Sequence, residues 1–313
     1  MIAVQINSYG GSDVLTINNN AKKPEPAKGQ ILVEVGAAAL NPVDNAIMGG
    51  YMKDIVPLPF PITLGGDFSG VIVQIGEGVS GLKLSDKVYG QAICVNGGSG
   101  SLAQFVVANV ANTGKMPKNI NFVEASSLPL AGVSAIQALE ENIKLKRGQK
   151  ILIHGGAGGI GSVAIQIAKH LGAFVAATVS SGDIDFVKKL GADQTIDYRK
   201  EPFEQKLKDF DAVLCLVRGE TINKSFRILK KGGILVSLVG LPETELIDKY
   251  GVSAIKQMTD TNTNYLNRLT ELVDDGKIKV QIDRVFSLSQ SIEAFKHLTE
   301  GHPRGKIVIK IND

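Results

Sequence analysis

The sequence predicts an α/β protein, a doubly wound parallel sheet preceded by a β-rich region. Three observations predict it. The stretch Lys150-Ile-Leu-Ile-His-Gly-Gly-Ala-Gly-Gly-Ile-Gly161 runs from a short apolar strand into a glycine-rich turn. Beyond it, apolar strands alternate with helical patterns, which builds a parallel sheet covered on both faces. Before residue 121 the chain instead shows short strand-like runs punctuated by proline and glycine.

In chain order, the strand-like runs are Ile2–Ile6, Ile31–Val35, Val71–Ile75 and Phe105–Val107. Helical spacing begins at Glu124–Leu128 and Gly132–Asn142. Strands follow at Ile151–His154, Phe174–Val179, Gln194–Ile196, Ala212–Leu216 and Ile234–Val239. Their runs are continuously apolar, as strands buried on both faces are. Helices between them are expected at Gly159–Leu171, Asp183–Leu190, Phe203–Leu207 and Glu220–Leu229, the last stopped by Gly232-Gly233. Val252–Met258 would add an edge strand. The tail reads as a helix at Tyr265–Asp274, short strands near Ile278–Phe286, a helix at Ser289–Thr299 and a last strand at Lys306–Ile311. These tail elements are similar in kind to the first region, so the chain is expected to return to it.

Bulk numbers limit the function classes. A chain of 313 residues corresponds to about two domains. The net charge of +3 is small for this length and gives no argument for nucleic acid or an anionic membrane. Cys94 and Cys215 have no metal-type spacing and argue against a disulfide framework. Met1–Ile6 reads at once as a strand, so no signal peptide is expected, and no apolar run is long enough for a membrane span. A reducing cytoplasm is the expected setting.

Gly156, Gly158 and Gly161 fit G-x-G-x-x-G between a strand and a helix, the context that makes this motif a dinucleotide site. Gly156 permits the sharp turn, Gly158 lets the backbone approach a pyrophosphate, and Gly161 lets the helix pack on the strand. Ala157, Gly159 and Ile160 complete the turn, and the N–H groups of the helix start face the phosphates.

Six stretches together resemble one family: Ala39-Leu-Asn-Pro-Val-Asp44, Leu64-Gly-Gly-Asp-Phe-Ser-Gly70, Leu128-Pro-Leu-Ala-Gly-Val-Ser-Ala135, the glycine-rich turn, Lys231-Gly-Gly-Ile-Leu-Val-Ser-Leu-Val-Gly240 and Gly301-His-Pro-Arg-Gly-Lys-Ile-Val308. Over essentially its whole length the chain resembles the zinc-free quinone oxidoreductase (zeta-crystallin-like) and enone reductase branch of the medium-chain dehydrogenase/reductase superfamily. The resemblance implies a GroES-like β-barrel domain, residues 1–121 completed by 262–313. It also implies a Rossmann-type NAD(P)-binding domain, residues 122–261, with the active site in the cleft between them and a homodimer formed through the edge near Val252–Met258.

Zinc-dependent relatives hold their ion with two thiolates and an imidazole. At the matching positions this chain carries Asn41, Gly65-Gly66-Asp67 and Ala131, none of which replaces its ligand well. His154 reads as a core residue, and His297 with His302 lacks further ligands, so no metal is expected. By resemblance, Asn41 lies beside the nicotinamide and acceptor with Asp44 close by. Tyr51 is the candidate donor to the acceptor oxygen or the α-carbon, a role water can also fill. A polarised C=C or a quinone accepts hydride without a Lewis acid, because the charge spreads onto oxygen. The expected activity is NADPH-dependent reduction of such an acceptor. An enoyl-thioester substrate and a non-catalytic binding or structural role are the alternatives.

NADPH is expected over NADH. Ser180 and Ser181 stand where an NAD site usually carries an acid for the ribose hydroxyls. Tyr198 matches a tyrosine that contacts the 2′-phosphate in relatives, while Lys200 and Arg199 are nearby cations. Where many relatives place a lysine, this chain has Gly182-Asp183-Ile184-Asp185; Asp183 as a helix N-cap would face away from the phosphate. Arg218 marks the next loop, and the Val239-Gly240 backbone is expected to meet the nicotinamide carboxamide.

Overall fold

The computed structural model describes residues 1–240 and 242–312. The chain divides into two compact units, one of Met1–Leu130, Thr261–Asp275 and Val280–Asp313, the other of Ala131–Asp260 with Gly276–Lys279.

The second unit is built on a six-stranded parallel sheet. Along the chain its strands are Lys150–His154, Phe174–Val179, Gln194–Asp197, Phe210–Cys215, Leu229–Ser237 and Ser253–Lys256. Numbered within this sheet, they lie in the order 3-2-1-4-5-6, the doubly wound arrangement in which ligands bind beyond the carboxyl ends of the strands. The central strand is buried from Ile151 to His154 because helices cover both faces. The helix Gly159–His170 buries Val163, Ala164, Ile165, Ile167 and Ala168. Its spacing of apolar residues makes it amphipathic, which is why it lies flat on the sheet.

Three local expectations are corrected. Gly232-Gly233 does not stop a helix. The helix ends earlier, at Thr221–Ser225 with a 3-10 turn to Ile228, and the glycines lie inside the strand Leu229–Ser237. Phe210 pairs with Leu229, yet Ala212 pairs with Ile234, so residues 230–233 bulge out of the ladder. The helix expected from Asp183 begins at Ile184, and Ser181–Asp183 forms a 3-10 turn instead. The helical run at 129–142 is α-helical over Pro129–Ile136 and π-helical over Gln137–Asn142.

The first unit contains a three-stranded and a seven-stranded sheet. Gln30–Ala39 is the hub of the larger one. It pairs antiparallel with Asp67–Ile75, Phe105–Asn109 and Lys306–Lys310. The tail therefore returns to this sheet: Ile282–Ser287 lies parallel to Lys306–Lys310. The helix Thr263–Asp274 starts on Asn262, whose side chain accepts from Asn264 and Tyr265 N–H. Its buried Leu266 carbonyl accepts from the Tyr89 hydroxyl at 2.6 Å.

One buried polar residue needs an account. His154, the last residue of the central strand, is 1% exposed. The Ser225 hydroxyl donates to the Thr221 carbonyl at 2.6 Å, so it can only accept from His154 Nε2, 3.0 Å away. Nδ1 is then the acceptor for the Thr178 hydroxyl at 3.0 Å. The ring is a neutral bridge between a strand and a helix, and burial pushes its pKa down to about 3. Below pH 6.5 the unfolded chain takes a proton that the folded chain refuses, so stability falls as pH drops from 6.5 towards 3. Between pH 7 and 5 this group alone costs about 2 kcal/mol at 1.36 kcal/mol per unit. Urea unfolding of His154→Gln is expected to show a correspondingly shallower acid loss than the parent; equal losses would contradict the neutral-bridge account.

Candidate active site

The glycine-rich turn can be explained residue by residue. Gly155 takes a φ of 73°, the left-handed region that glycine tolerates, so the sharp turn falls on Gly155 and not on Gly156. Gly156 is required by packing instead, since a Cβ there would lie 2.9 Å from the Ala177 methyl. At Gly161 a Cβ would lie 2.2 Å from the Gly155 carbonyl oxygen, so the helix could not approach the turn. Gly158 differs. A Cβ there would meet only the Gly155 carbonyl, at 3.6 Å, an ordinary contact. Nothing inside the protein demands glycine at Gly158; the space beside it is left for something else. Ala157, Gly159 and Ile160 line the same half-buried turn. The first N–H groups of the helix Gly159–His170 have no intrahelical acceptor. An open backbone cradle at a helix start fits a dinucleotide pyrophosphate.

At the end of the second strand two hydroxyls meet two carboxylates. Ser180 Oγ donates to Asp183 Oδ2 at 2.6 Å, and Ser181 Oγ donates to Asp197 Oδ2. Asp183 occupies the N-cap position of the helix Ile184–Lys189, but its side chain makes no capping bond to that helix. Asp197 was missed in the sequence. It ends the third strand beside Val179 and also accepts from Arg199 N–H at 3.1 Å. Its hydrogen bond from Ser181 and the ammonium of Lys200, 3.6 Å away, hold it below the usual carboxylate range. Tyr198 is half exposed with the Arg199 guanidinium 5.6 Å from its ring centre. Arg218 is exposed. Val239 and Gly240 lie just past the strand Leu229–Ser237, and both N–H groups point to Ser237 Oγ at 3.3 Å.

The first unit holds a buried charged cluster. Asn41 precedes the helix Pro42–Met48, and its backbone N–H donates to Asp44 Oδ2 at 2.7 Å. The Asn41 side chain faces two opposite charges. Nδ2 donates to Asp67 Oδ2 at 2.9 Å, and Oδ1 accepts from Lys306 Nζ. Lys306 also donates to the Leu40 carbonyl at 2.7 Å and lies 3.9 Å from Asp67. Asp67 further accepts from Gln91 Nε2 at 3.4 Å and Leu130 N–H at 3.2 Å. Burial raises Asp67 and lowers Lys306, while the facing charges and the donors on the Asp67 carboxylate act in the opposite direction. Tyr51 stands apart from this cluster's burial, with 83% of its surface exposed. Lys306 was missed as a site residue; the available signal is a lysine opening the final strand, just before Ile307-Val-Ile309.

These residues do not fit zinc. Asp67, the one potential ligand at the matching positions, already faces the Lys306 ammonium, and both ends of the Asn41 amide are committed. Cys94 is half-buried, and burial pushes its thiol up to about 11. Among the described residues no group of three His, Cys, Asp or Glu side chains could hold a metal, and His297 Nε2 pairs with Asp283 at 2.6 Å.

Burial raises Asp44 from 3.8 to about 7, with Asp67 adding repulsion. The folded chain keeps this proton where the unfolded chain has lost it. Stability from this group therefore declines as pH rises from about 4 to 7, by a few kcal/mol. Asp44→Asn removes the titration but keeps an oxygen for the Asn41 N–H. Chemical unfolding at pH 5 and 8 is expected to show the variant gaining on the parent at pH 8; a constant difference would contradict the raised pKa.

Comparison with known proteins places the chain. Residues 27–118 match the alcohol dehydrogenase GroES-like domain, and residues 190–309 match the zinc-binding dehydrogenase domain. The chain is 37% identical to 2-methylene-furan-3-one reductase of Solanum lycopersicum, an alignment covering 99% of this chain and 79% of that protein. It is 35% identical to the chloroplastic NADPH-dependent alkenal/one oxidoreductase of Arabidopsis thaliana, over 97% of this chain and 78% of that one. The quinone oxidoreductase structure from Coxiella burnetii matches with a TM-score of 0.89 at 34% identity, covering 100% and 99% of the two chains. With the glycine cradle and the doubly wound sheet already in place, these likenesses assign the chain to the medium-chain dehydrogenase/reductase superfamily, in its branch of quinone and alkenal/one oxidoreductases.

Proposed function

We propose that the chain is an NADPH-dependent oxidoreductase that transfers hydride to a quinone or an α,β-unsaturated carbonyl without zinc. The observation that carries this reading is the glycine turn of the second unit, open beside Gly158 at a helix start. The relatives' names, one of them NADPH-dependent, support it. A bound reduced nicotinamide supplies the hydride; the residues hold, orient and balance charge. The backbone of Gly156–Gly161 would hold the pyrophosphate, and the backbone of Val239-Gly240 would meet the carboxamide. Asn41 and Asp44 belong to the acceptor side, and Tyr51 is the candidate donor to the acceptor oxygen or the α-carbon. For an enone, hydride adds to the β-carbon and a proton to the α-carbon. The charge passes through an enolate, which hydrogen bonding can stabilise.

The cofactor preference rests on Ser180, Ser181, Tyr198, Arg199 and Lys200, with Asp183 and Asp197 opposing. A 2′-phosphate must draw both serine hydroxyls away from their carboxylates. We further propose a homodimer through Ser253–Lys256, which ends the sheet with one of its sides unpaired. We also propose a cytoplasmic setting, which the free thiols Cys94 and Cys215 support.

Loss of reduced-nicotinamide absorbance, with a naphthoquinone and a short alkenone as parallel acceptors, tests the reading. Turnover is expected with NADPH and less with NADH. Asp183→Asn is expected to raise the NADPH-over-NADH ratio of kcat/KM about fivefold, the effect of ~1 kcal/mol of relieved repulsion. No turnover with either acceptor would overturn the activity, and an unchanged ratio would remove Asp183 from the cofactor site.

A further inference from the structure

Lys306 is the cation of the buried cluster, and the proposed reaction gives it no step. It opens the strand Lys306–Lys310, and its side chain is 8% exposed. An ammonium so deeply placed is costly unless it is paired and hydrogen-bonded. Here it is both. Two of its three N–H bonds end on the Leu40 carbonyl and the Asn41 amide oxygen, and Asp67 lies 3.9 Å away.

The arrangement has a consequence for Asn41. An asparagine amide can face its neighbours in either of two orientations that differ by exchanging oxygen and nitrogen. An ammonium only donates and a carboxylate only accepts. With Lys306 on one side and Asp67 on the other, just one orientation satisfies both. In that orientation one Nδ2–H is committed to Asp67. The second is the donor the amide retains.

We infer that Lys306 is a positioning residue for the reductase reaction: its buried ammonium fixes the orientation of the Asn41 amide and stands as the counter-charge to the Asp67 carboxylate. The inference rests on the proposed reductase reading only for its kinetic part; the ionisation of Asp67 can be measured without turnover. Lys306 acts through Asn41, so its removal releases the amide to flip and leaves two buried carboxylates without a cation.

The test uses the full chain as Lys306→Met, Asn41→Ala and both together. A charge-neutral variant, Lys306→Met with Asp67→Asn, stands in should Lys306→Met fail to fold. With the better acceptor and NADPH, Lys306→Met is expected to lower kcat about 10- to 100-fold, the scale of misplacing a reacting group. KM for the acceptor should change far less. The double Asn41→Ala/Lys306→Met variant should match Asn41→Ala within about twofold, because one residue acts through the other. The charge-neutral variant should also lose kcat, since the amide is again free to flip. Infrared difference spectra at pH 7 should show an added protonated-carboxyl band in Lys306→Met that the charge-neutral variant lacks. Wild-type kcat in either Lys306 variant, or additive losses with Asn41→Ala, would overturn the positioning role. Absence of the added band would overturn the counter-charge role. If the parent protein itself reduces neither acceptor, the reductase reading fails, and the infrared band alone decides the role of Lys306 in the charge balance.

Discussion

The nucleotide-binding half depends on how closely the helix Gly159–His170 approaches the turn before it. At Gly161 the gap to the Gly155 carbonyl admits no side chain at all. That closeness seats the helix on the central strand and brings the helix start to the carboxyl edge of the sheet. The left-handed Gly155 makes the turn possible, and the vacancy beside Gly158 makes it useful. Structural and functional demands thus fall on different glycines of one motif. Gly155, Gly156 and Gly161 serve the fold, whereas nothing within the protein requires glycine at Gly158.

The other half is organised by charge. Lys306, Asp67, Asn41 and Asp44 form a buried network tying the last strand to the loop before the helix Pro42–Met48. Two carboxylates and one ammonium do not balance while all are ionised. The proton held by Asp44 near neutral pH restores the balance. His154 solves the opposite problem in the parallel sheet by staying neutral between two hydroxyls. The pH responses of the two groups oppose one another: Asp44 favours acid and His154 resists it.

Much of this was legible in the sequence, for physical reasons. Continuous apolar runs and the strand–turn–helix glycine motif identified the doubly wound sheet, because burial on both faces leaves little choice of residue. Asn41 and Asp44 were visible through their motif, and Asp67 only as a position where a zinc ligand is missing. What escaped was everything set by partners distant in sequence. Lys306 meets Asn41 only after the tail returns to the first sheet, and Asp197 meets Ser181 only through strand register. Gly232-Gly233 was read as a stop because a bulge and a helix end use the same residue. Asp183 does sit at the helix N-cap, but its carboxylate accepts from the Ser180 hydroxyl and makes no side-chain capping bond to the helix.

The account's central claim is that reducing equivalents leave the cofactor as a hydride delivered to carbon, in a site whose buried cation is a lysine. Transfer of label from NADPH deuterated at nicotinamide C4, prepared separately in each stereochemical form, tests this most directly. With an alkenone acceptor in ordinary water, mass spectrometry of the product should show a single deuterium at the β-carbon from one of the two labelled forms. Product carrying hydrogen from water at the β-carbon with both forms would mean that electrons and protons travel separately, and would contradict the account.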